Sequence, residues 1–259
     1  VTEQRLGKLP RAVLGTASVA AFLLAWQGYV HLAQVPTYTL PGPIEIVTHT
    51  WRMLTGEQLL VHLRVTAAEL LQGVAIGLAV GVLAGVAMSR WRWLERAAMP
   101  LLVFIQITPK IAIAPLLVLW LGLGVTSKIT LVALVTFFPV LINTLAGLRG
   151  IGTNYRHLCQ VLALSGPRRF FRLELPMTLP HIVVGLRLGA LAGVTAAVIG
   201  ELIGAQGGLG YLVAQSQETD NIPQAMVGLL LLSMLGLASW SGIGAVAGWL
   251  RSRFGVTDG

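Results

Sequence analysis

The sequence is poor in charge, poorer still in acid, and almost without cysteine. Asp, Glu, Lys and Arg make up 11% of its 259 residues and the acids number only 10, whereas a soluble domain carries about a quarter charged residues. So little charge cannot keep a surface in water, and most of the surface must meet lipid or other protein. One cysteine, Cys159, excludes an intrachain disulfide and a cysteine-rich metal site. No glycine-rich loop ending in Gly-Lys-Ser/Thr is present, so any ATP used must be bound by another subunit. None of the five histidines forms a His-Glu-x-x-His pair, and Gly204, Gly207, Gly208 and Gly210 lack the strand-turn-helix context of a dinucleotide fingerprint. The chain is therefore expected to have no catalytic residue, no metal site and no cofactor of its own.

What is present is apolar length. Hydrophobic residues are 55% of the chain and the mean hydropathy is +0.79. With about 20 residues needed per crossing, the runs near 12–34, 64–88, 99–122, 127–148, 181–204 and 223–249 predict an all-α polytopic protein of six transmembrane helices, with residues 1–259 forming one membrane domain. The first run follows Arg5, Lys8 and Arg11 as a signal peptide would, but its length and lack of a small-x-small cleavage site mark a retained helix. The proline-rich stretch 36–43 cannot begin as helix. The pattern Ile44, Ile46, Val47, Trp51, Met53, Leu54 after it fits a short helix on the outer surface.

Net charge is +8, which on a soluble protein would point to nucleic acid. Here Arg5, Lys8, Arg11, Arg90, Arg92, Arg96, Arg149, Arg156, Arg168, Arg169, Arg172, Arg251 and Arg253, 13 of the 18 basic residues, fall in alternate connections. The positive-inside rule makes those connections and both termini cytoplasmic, with membrane lipid rather than nucleic acid as the partner of the charge. Arg52, Lys128 and Arg64 are left to the outer connections.

Two features exceed what insertion alone requires. Gly73, Gly77, Gly81 and Gly85 recur every four residues down one helix face, a spacing that lets a neighbouring backbone approach closely. The connection 149–180 reads as helix (155–165), a Gly166–Pro167 break, helix (168–174), then Pro176 and Pro180 leading into a span. This bent protrusion carries Arg168, Arg169 and Arg172, either as topology signal or as a docking surface.

Polar residues inside spans are costly in lipid and so mark candidate path or gate positions: Gln106, Thr108, Lys110, Thr136, Asn143 and Glu201. Lys110 is open to three readings: translocation or gating, an internal ion pair with Glu69, or snorkelling. Thr136 and Asn143 share a face that lines the path or bonds helix to helix. Glu201 suits an outer gate or contact with an external partner. Arg187 is read as a structural brace, and Trp91, Trp93, Trp240 and Trp249 as interface or packing aromatics.

Order and spacing along nearly the whole chain carry a family likeness. Leu40–Pro41–Gly42–Pro43, the run Pro109 to Leu116, Gly122–Leu123–Gly124, Phe137–Phe138–Pro139, Glu201–Leu202–Ile203–Gly204 and Gly208–Leu209–Gly210–Tyr211 resemble permease subunits of bacterial ABC importers. The group is the one handling nitrate, sulfonates, taurine, bicarbonate and thiamine-precursor pyrimidines. The family's cytoplasmic motif ends as expected at Leu175–Pro176, Leu179–Pro180 and Gly185–Leu186–Arg187. His157–Leu158–Cys159 stand where the family has Glu-Ala-Ala, and Ala163 where it has glycine.

The resemblance implies a type I importer-like transmembrane domain in the bacterial inner membrane. It implies two permease copies, a dimer of ATP-binding subunits holding ATP and Mg, and an extracytoplasmic solute-binding protein. It places coupling to the ATPase on His157, Leu158, Cys159, Ala163, Ser165, Gly166, Pro167, Arg168 and Arg169, with an organosulfonate, nitrate or a vitamin precursor as solute. The alternative from another class is an ion-coupled secondary carrier, which would need an acidic relay in the membrane.

Overall fold

The computed structural model describes residues 11–56, 58–152 and 166–254. Among these every regular element is a helix. In chain order they are α1 (Arg11–Leu32), α2 (Pro43–Thr55), α3 (Gln58–Arg90), α4 (Arg92–Ile107), α5 (Lys110–Leu121) and α6 (Val125–Gly150). There follow α7 (Gly166–Arg169), a π-helical stretch (Phe170–Glu174), α8 (Leu175–Gly204), α9 (Leu209–Glu218) and α10 (Ile222–Phe254). Five helical runs are long and apolar enough to cross a bilayer, and α4 with α5 makes a sixth if that bent pair counts as one span.

The chain divides into two compact units. The smaller comprises Val1–Leu60 and Leu212–Leu229. Within it α2 starts as its sequence dictates: Pro43 occupies the first turn, where no intrahelical N–H is needed, and the Glu45 carboxylate accepts the Gly42 N–H at 3.2 Å. The Gln27 side chain of α1 accepts the Ile44 N–H at 3.3 Å. Ile46 faces inward while Ile44, Val47 and Trp51 are exposed, as expected of a helix lying at an interface.

The larger unit, Val61–Tyr211 with Leu230–Gly259, is organised around α6. The glycine stripe of α3 packs on it in register. A Cβ added at Gly73, Gly77, Gly81 or Gly85 would meet Val132, Thr136, Val140 or Thr144 at 2.5–2.9 Å. α6 also meets α8 through Gly185 and Gly189, which lie against Pro139, Asn143 and Thr136. Small residues on both partners let three backbones close up where apolar burial gives no drive, since lipid is as apolar as leucine. Leu70, Ala114, Leu117, Leu131, Val132, Val135, Ala196 and Ala197 fill the space between these helices.

Three expectations are corrected. The run 99–122 is not one straight span: α4 and α5 meet at a 98° bend. Pro109 has no N–H for a helix ladder and disfavours helical geometry in its predecessor; Thr108 has ψ 128° and Pro109 ψ 117°. Pro176 and Pro180 lead into a span, but from within a continuous helical run, Gly166–Gly204, and not from a connection before it. Pro176 falls in the first turn of α8, and the π-helical stretch before it absorbs the register change. Lys128 is not in an outer connection: it is on the first turn of α6 and only 4% exposed.

Candidate functional site

Three polar features of the larger unit stand at different depths. At one end, the terminus of α3 and the start of the Gly166–Gly204 run are tied through Glu174. Its carboxylate is buried, pairs with Arg90 and accepts from Arg169 Nε at 2.7 Å. The Arg90 guanidinium also lies over the Phe170 ring, 5.9 Å from its centre. Arg149 of α6 pairs with Glu95 of α4. Arg168, Phe171 and Arg172 are left exposed beside this brace. Of the residues expected to contact an ATPase, Gly166, Pro167 and Arg168 are exposed and Arg169 is half-buried. His157, Leu158, Cys159, Ala163 and Ser165 lie outside the described residues.

At the opposite end a buried polar cluster joins α3, α6, α8 and the start of α9. One Glu201 oxygen accepts the Thr66 hydroxyl at 2.6 Å, and the other the Gly210 N–H at 2.5 Å. The Thr66 oxygen accepts the Leu209 N–H at 2.8 Å, and His62 Nδ1 the Gly208 N–H at 3.0 Å. Three side-chain atoms, His62 Nδ1, Thr66 Oγ1 and one Glu201 oxygen, thus satisfy the amides opening α9, which would otherwise be orphaned, and a carboxylate there suits the positive end of the helix. Gly208 has φ +119°, a conformation other residues rarely adopt. Lys128 Nζ lies 3.9 Å from Glu69 Oε1 and reaches the carbonyls of Leu123 and Gly124 at 3.3 Å. Glu69 and Glu201, each 1% exposed, are within electrostatic reach of one another.

Between these ends is a cavity of about 490 Å³. Its wall is built from the α4–α5 break (Gln106, Pro109, Lys110, Ile111), α6 (Val135, Phe138, Pro139) and α8 (Ala192, Thr195, Ala196, Ile199). The α6 wall residues stand about 15–21 Å from the start of a helix about 39 Å long, near its middle. Pro139 and Pro115 have no N–H to give the carbonyls of Val135 and Ile111, both in this wall. A larger cavity of about 570 Å³ among α3, α8 and α10 is lined by aliphatic side chains with Ser239 as its only hydroxyl.

The candidate path residues separate accordingly. Gln106 and Lys110 line the mid-depth cavity. Lys110 Nζ donates to the Gln106 carbonyl at 2.6 Å, and the ion pair considered with Glu69 is not formed, because Glu69 faces Lys128. Thr108 donates to the Phe104 carbonyl at 3.1 Å, where α4 ends. Thr136 is fully buried between helices and donates to the Gly189 carbonyl of α8 at 3.2 Å. Asn143 donates back to the Pro139 carbonyl at 2.8 Å and its Cβ faces Gly185, so it too belongs to the α6–α8 seam. Glu201 is sealed under α9 and exposes no oxygen to an external protein in this state. The Arg187 guanidinium lies over Trp240, 4.8 Å from the ring centre, bracing α8 against α10. Thr66, His62 and Glu174 escaped the sequence reading because polar residues near span ends are common; the signal present was an acid, Glu174, amid arginines.

A helical bundle with a polar-edged cavity at mid-depth, held at both ends by ion pairs, defines a membrane-embedded transport domain. The chain belongs to the family of binding-protein-dependent transport system inner membrane components, whose model matches residues 77–254. It is 34% identical to a formylaminopyrimidine transport permease protein of Halalkalibacterium halodurans, over 85% of this chain and 88% of that one. It is 35% identical to a riboflavin transport system permease protein of Chloroflexus aurantiacus, over 83% and 80%. It is also 30% identical to a putative aliphatic sulfonates transport permease protein of Bacillus subtilis, over 84% and 79%. In fold it is similar to a chain of the MetNI methionine ABC transporter in an inward-facing conformation, with TM-score 0.62 and 19% identity, over 78% of this chain and 98% of that one.

The protein is thus the inner-membrane permease subunit of an ABC importer for a small solute, with ATP hydrolysis in a separate subunit and a solute-binding protein as further partner. An ATP-driven family sets aside the ion-coupled carrier. Its nearest requirement, an acidic relay, is not met by Glu69 and Glu201, which are spent on Lys128 and on the start of α9.

Proposed function

We propose that two copies of this chain form a twofold translocation path for a small polar solute, an organosulfonate, nitrate or vitamin precursor, and that each chain acts as one permease domain. The observation that carries the reading is the mid-depth cavity at the α4–α5 break, with Gln106 and Lys110 on its wall. A single six-helix chain encloses no path alone, and a closed twofold arrangement is the simplest that would. Both termini are assigned to the cytoplasm by the arginine-rich connections. ATP and Mg belong to the partner subunits.

Coupling is assigned to residues 155–174. Energy released in the ATPase must bias two global states of the membrane domain through a mechanical contact. The Arg90–Glu174–Arg169 brace and Arg149–Glu95 supply a stiff base for that contact. Affinity purification of the tagged chain from its native membrane in mild detergent, with ATPase assays, tests both assignments. An ATP-hydrolysing subunit should co-purify, and Ala163→Trp should weaken its docking by about 1–3 kcal/mol while the permease still inserts. Unchanged assembly and unchanged ATP-driven uptake in that variant would remove the coupling role from the loop.

A further inference from the structure

We infer that the cavity at the α4–α5 break is an anion-binding site in which Lys110 meets an anionic oxo group, such as a sulfonate, carboxylate or phosphate, of the transported solute. The inference rests on the importer reading and names the solute's chemistry within it.

Four observations converge on Lys110. It lies in the wall of a cavity of about 490 Å³ whose remaining side chains, apart from Gln106 and Thr195, are apolar. A predominantly apolar pocket with a few convergent polar groups is the ordinary form of a small-molecule site. The depth is near the middle of α6, where a charge is costly unless it is paired or faces water, so an ionisable residue there is a functional candidate by default. Among the described residues no carboxylate pairs with Lys110, and its ammonium donates only to the Gln106 carbonyl. The other lysine of this unit, which is fully buried, behaves differently: Lys128 faces Glu69 and two carbonyls. The chain therefore neutralises one lysine from within and leaves the other's charge toward a cavity.

The backbone reinforces the sign. α5 begins at Lys110, its N-cap is Pro109, and no side chain caps it. The Lys110 and Ile111 amides open the first turn and have no carbonyl within the helix to bond, Ala112 N–H returns to the Pro109 carbonyl at 3.0 Å, and the positive end of a twelve-residue helix adds to the charge of the ammonium. The 98° bend is what brings that helix start to mid-depth; an unbroken span would have paired those amides internally.

The test uses charged thiol reagents, whose chemistry is independent of the unknown solute. In the permease–ATPase complex in liposomes, with Cys159→Ser, a cysteine is placed at Thr195, which is exposed in the cavity. Its reaction is timed with a sulfonate-bearing and a trimethylammonium-bearing methanethiosulfonate, each normalised to free cysteine. Lys110 should favour the sulfonate reagent by ~10-fold or more, as a unit charge on the wall of the same weakly screened cavity dictates. Lys110→Gln should abolish the preference and Lys110→Arg restore it. Ala192→Cys repeats the measurement from a second wall position if Thr195→Cys fails to assemble.

Reaction with no charge preference, or a preference that survives Lys110→Gln, overturns the anion site and leaves the importer reading intact. Absence of reaction at both positions overturns it as well, by removing the cavity from the water-accessible path. Co-purification of the ATPase with the wild-type chain reports separately on the importer reading.

Discussion

Replacing Glu201 by alanine should destabilise the larger unit by about 3 kcal/mol, and the loss should be shared with Thr66. The carboxylate receives two charge-assisted hydrogen bonds, from Thr66 at 2.6 Å and from the Gly210 amide at 2.5 Å. Each is worth about 1.5–3 kcal/mol when the partner is left unsatisfied. Relief of its interaction with Glu69 draws the total toward the low end of that sum and of the ~3–5 kcal/mol typical for breaking a buried ionic contact. Thr66→Val should cost about 1–3 kcal/mol, because Thr66 both donates to Glu201 and accepts from the Leu209 amide. If the three groups form one network, the double variant should fall short of the sum by about 1–2 kcal/mol. Detergent-titration unfolding of the purified permease complex, followed by tryptophan fluorescence, gives the three values. Additivity within about 0.5 kcal/mol, or a Glu201→Ala loss below about 1 kcal/mol, would refute the argument that this carboxylate anchors α9.

The glycine stripe makes a paired prediction in the same assay. Gly77→Ala brings a methyl to 2.7 Å from the Ala133 carbonyl and the Thr136 side chain and should cost about 1–3 kcal/mol. Gly248→Ala, on α10 with nothing within 4 Å, should be neutral or stabilise by up to about 1 kcal/mol. At the arginine-rich end, Glu174→Gln should lower stability by about 1–2 kcal/mol, since two guanidiniums lose a buried carboxylate. Arg168→Ala, on an exposed side chain, should weaken co-purification of the ATPase while stability stays within about 0.5 kcal/mol of wild type.

The membrane class, the number of apolar runs and the α3 stripe were legible in the sequence because each rests on a local property: hydropathy over a window, or four glycines at one spacing. The stripe's partner was not, since Val132, Thr136, Val140 and Thr144 are unremarkable residues until a neighbouring helix fixes the register. The bend was half legible. Pro109 announced a break, but a proline in a span can kink or split it, and only packing of α5 against α6 and α8 decides for a 98° turn. Charged residues were the least legible. Sequence position put Lys128 in a loop and offered Glu69 to Lys110, whereas α6 begins three residues before Lys128 and carries it inward.

That misassignment bears on what each lysine does. Had Glu69 paired with Lys110, the cavity would be neutral and its cation merely structural. Because α6 delivers Lys128 to Glu69 instead, the acid at that end of the helices is consumed there, together with Glu201 at the start of α9. Of the other described acids of the larger unit, Glu95 faces Arg149, and Glu174 holds Arg90 and Arg169. None of these reaches the wall of the mid-depth cavity, which contains no acidic side chain. A charge stationed there without a counter-ion raises the cost of the resting state and lowers it when an anion arrives, which is the differential interaction a solute must have if it is to bias one state of the path over another. The fold thus uses its few acids to hold the bundle closed at its ends and withholds them from the middle, where the passing solute can supply the missing charge.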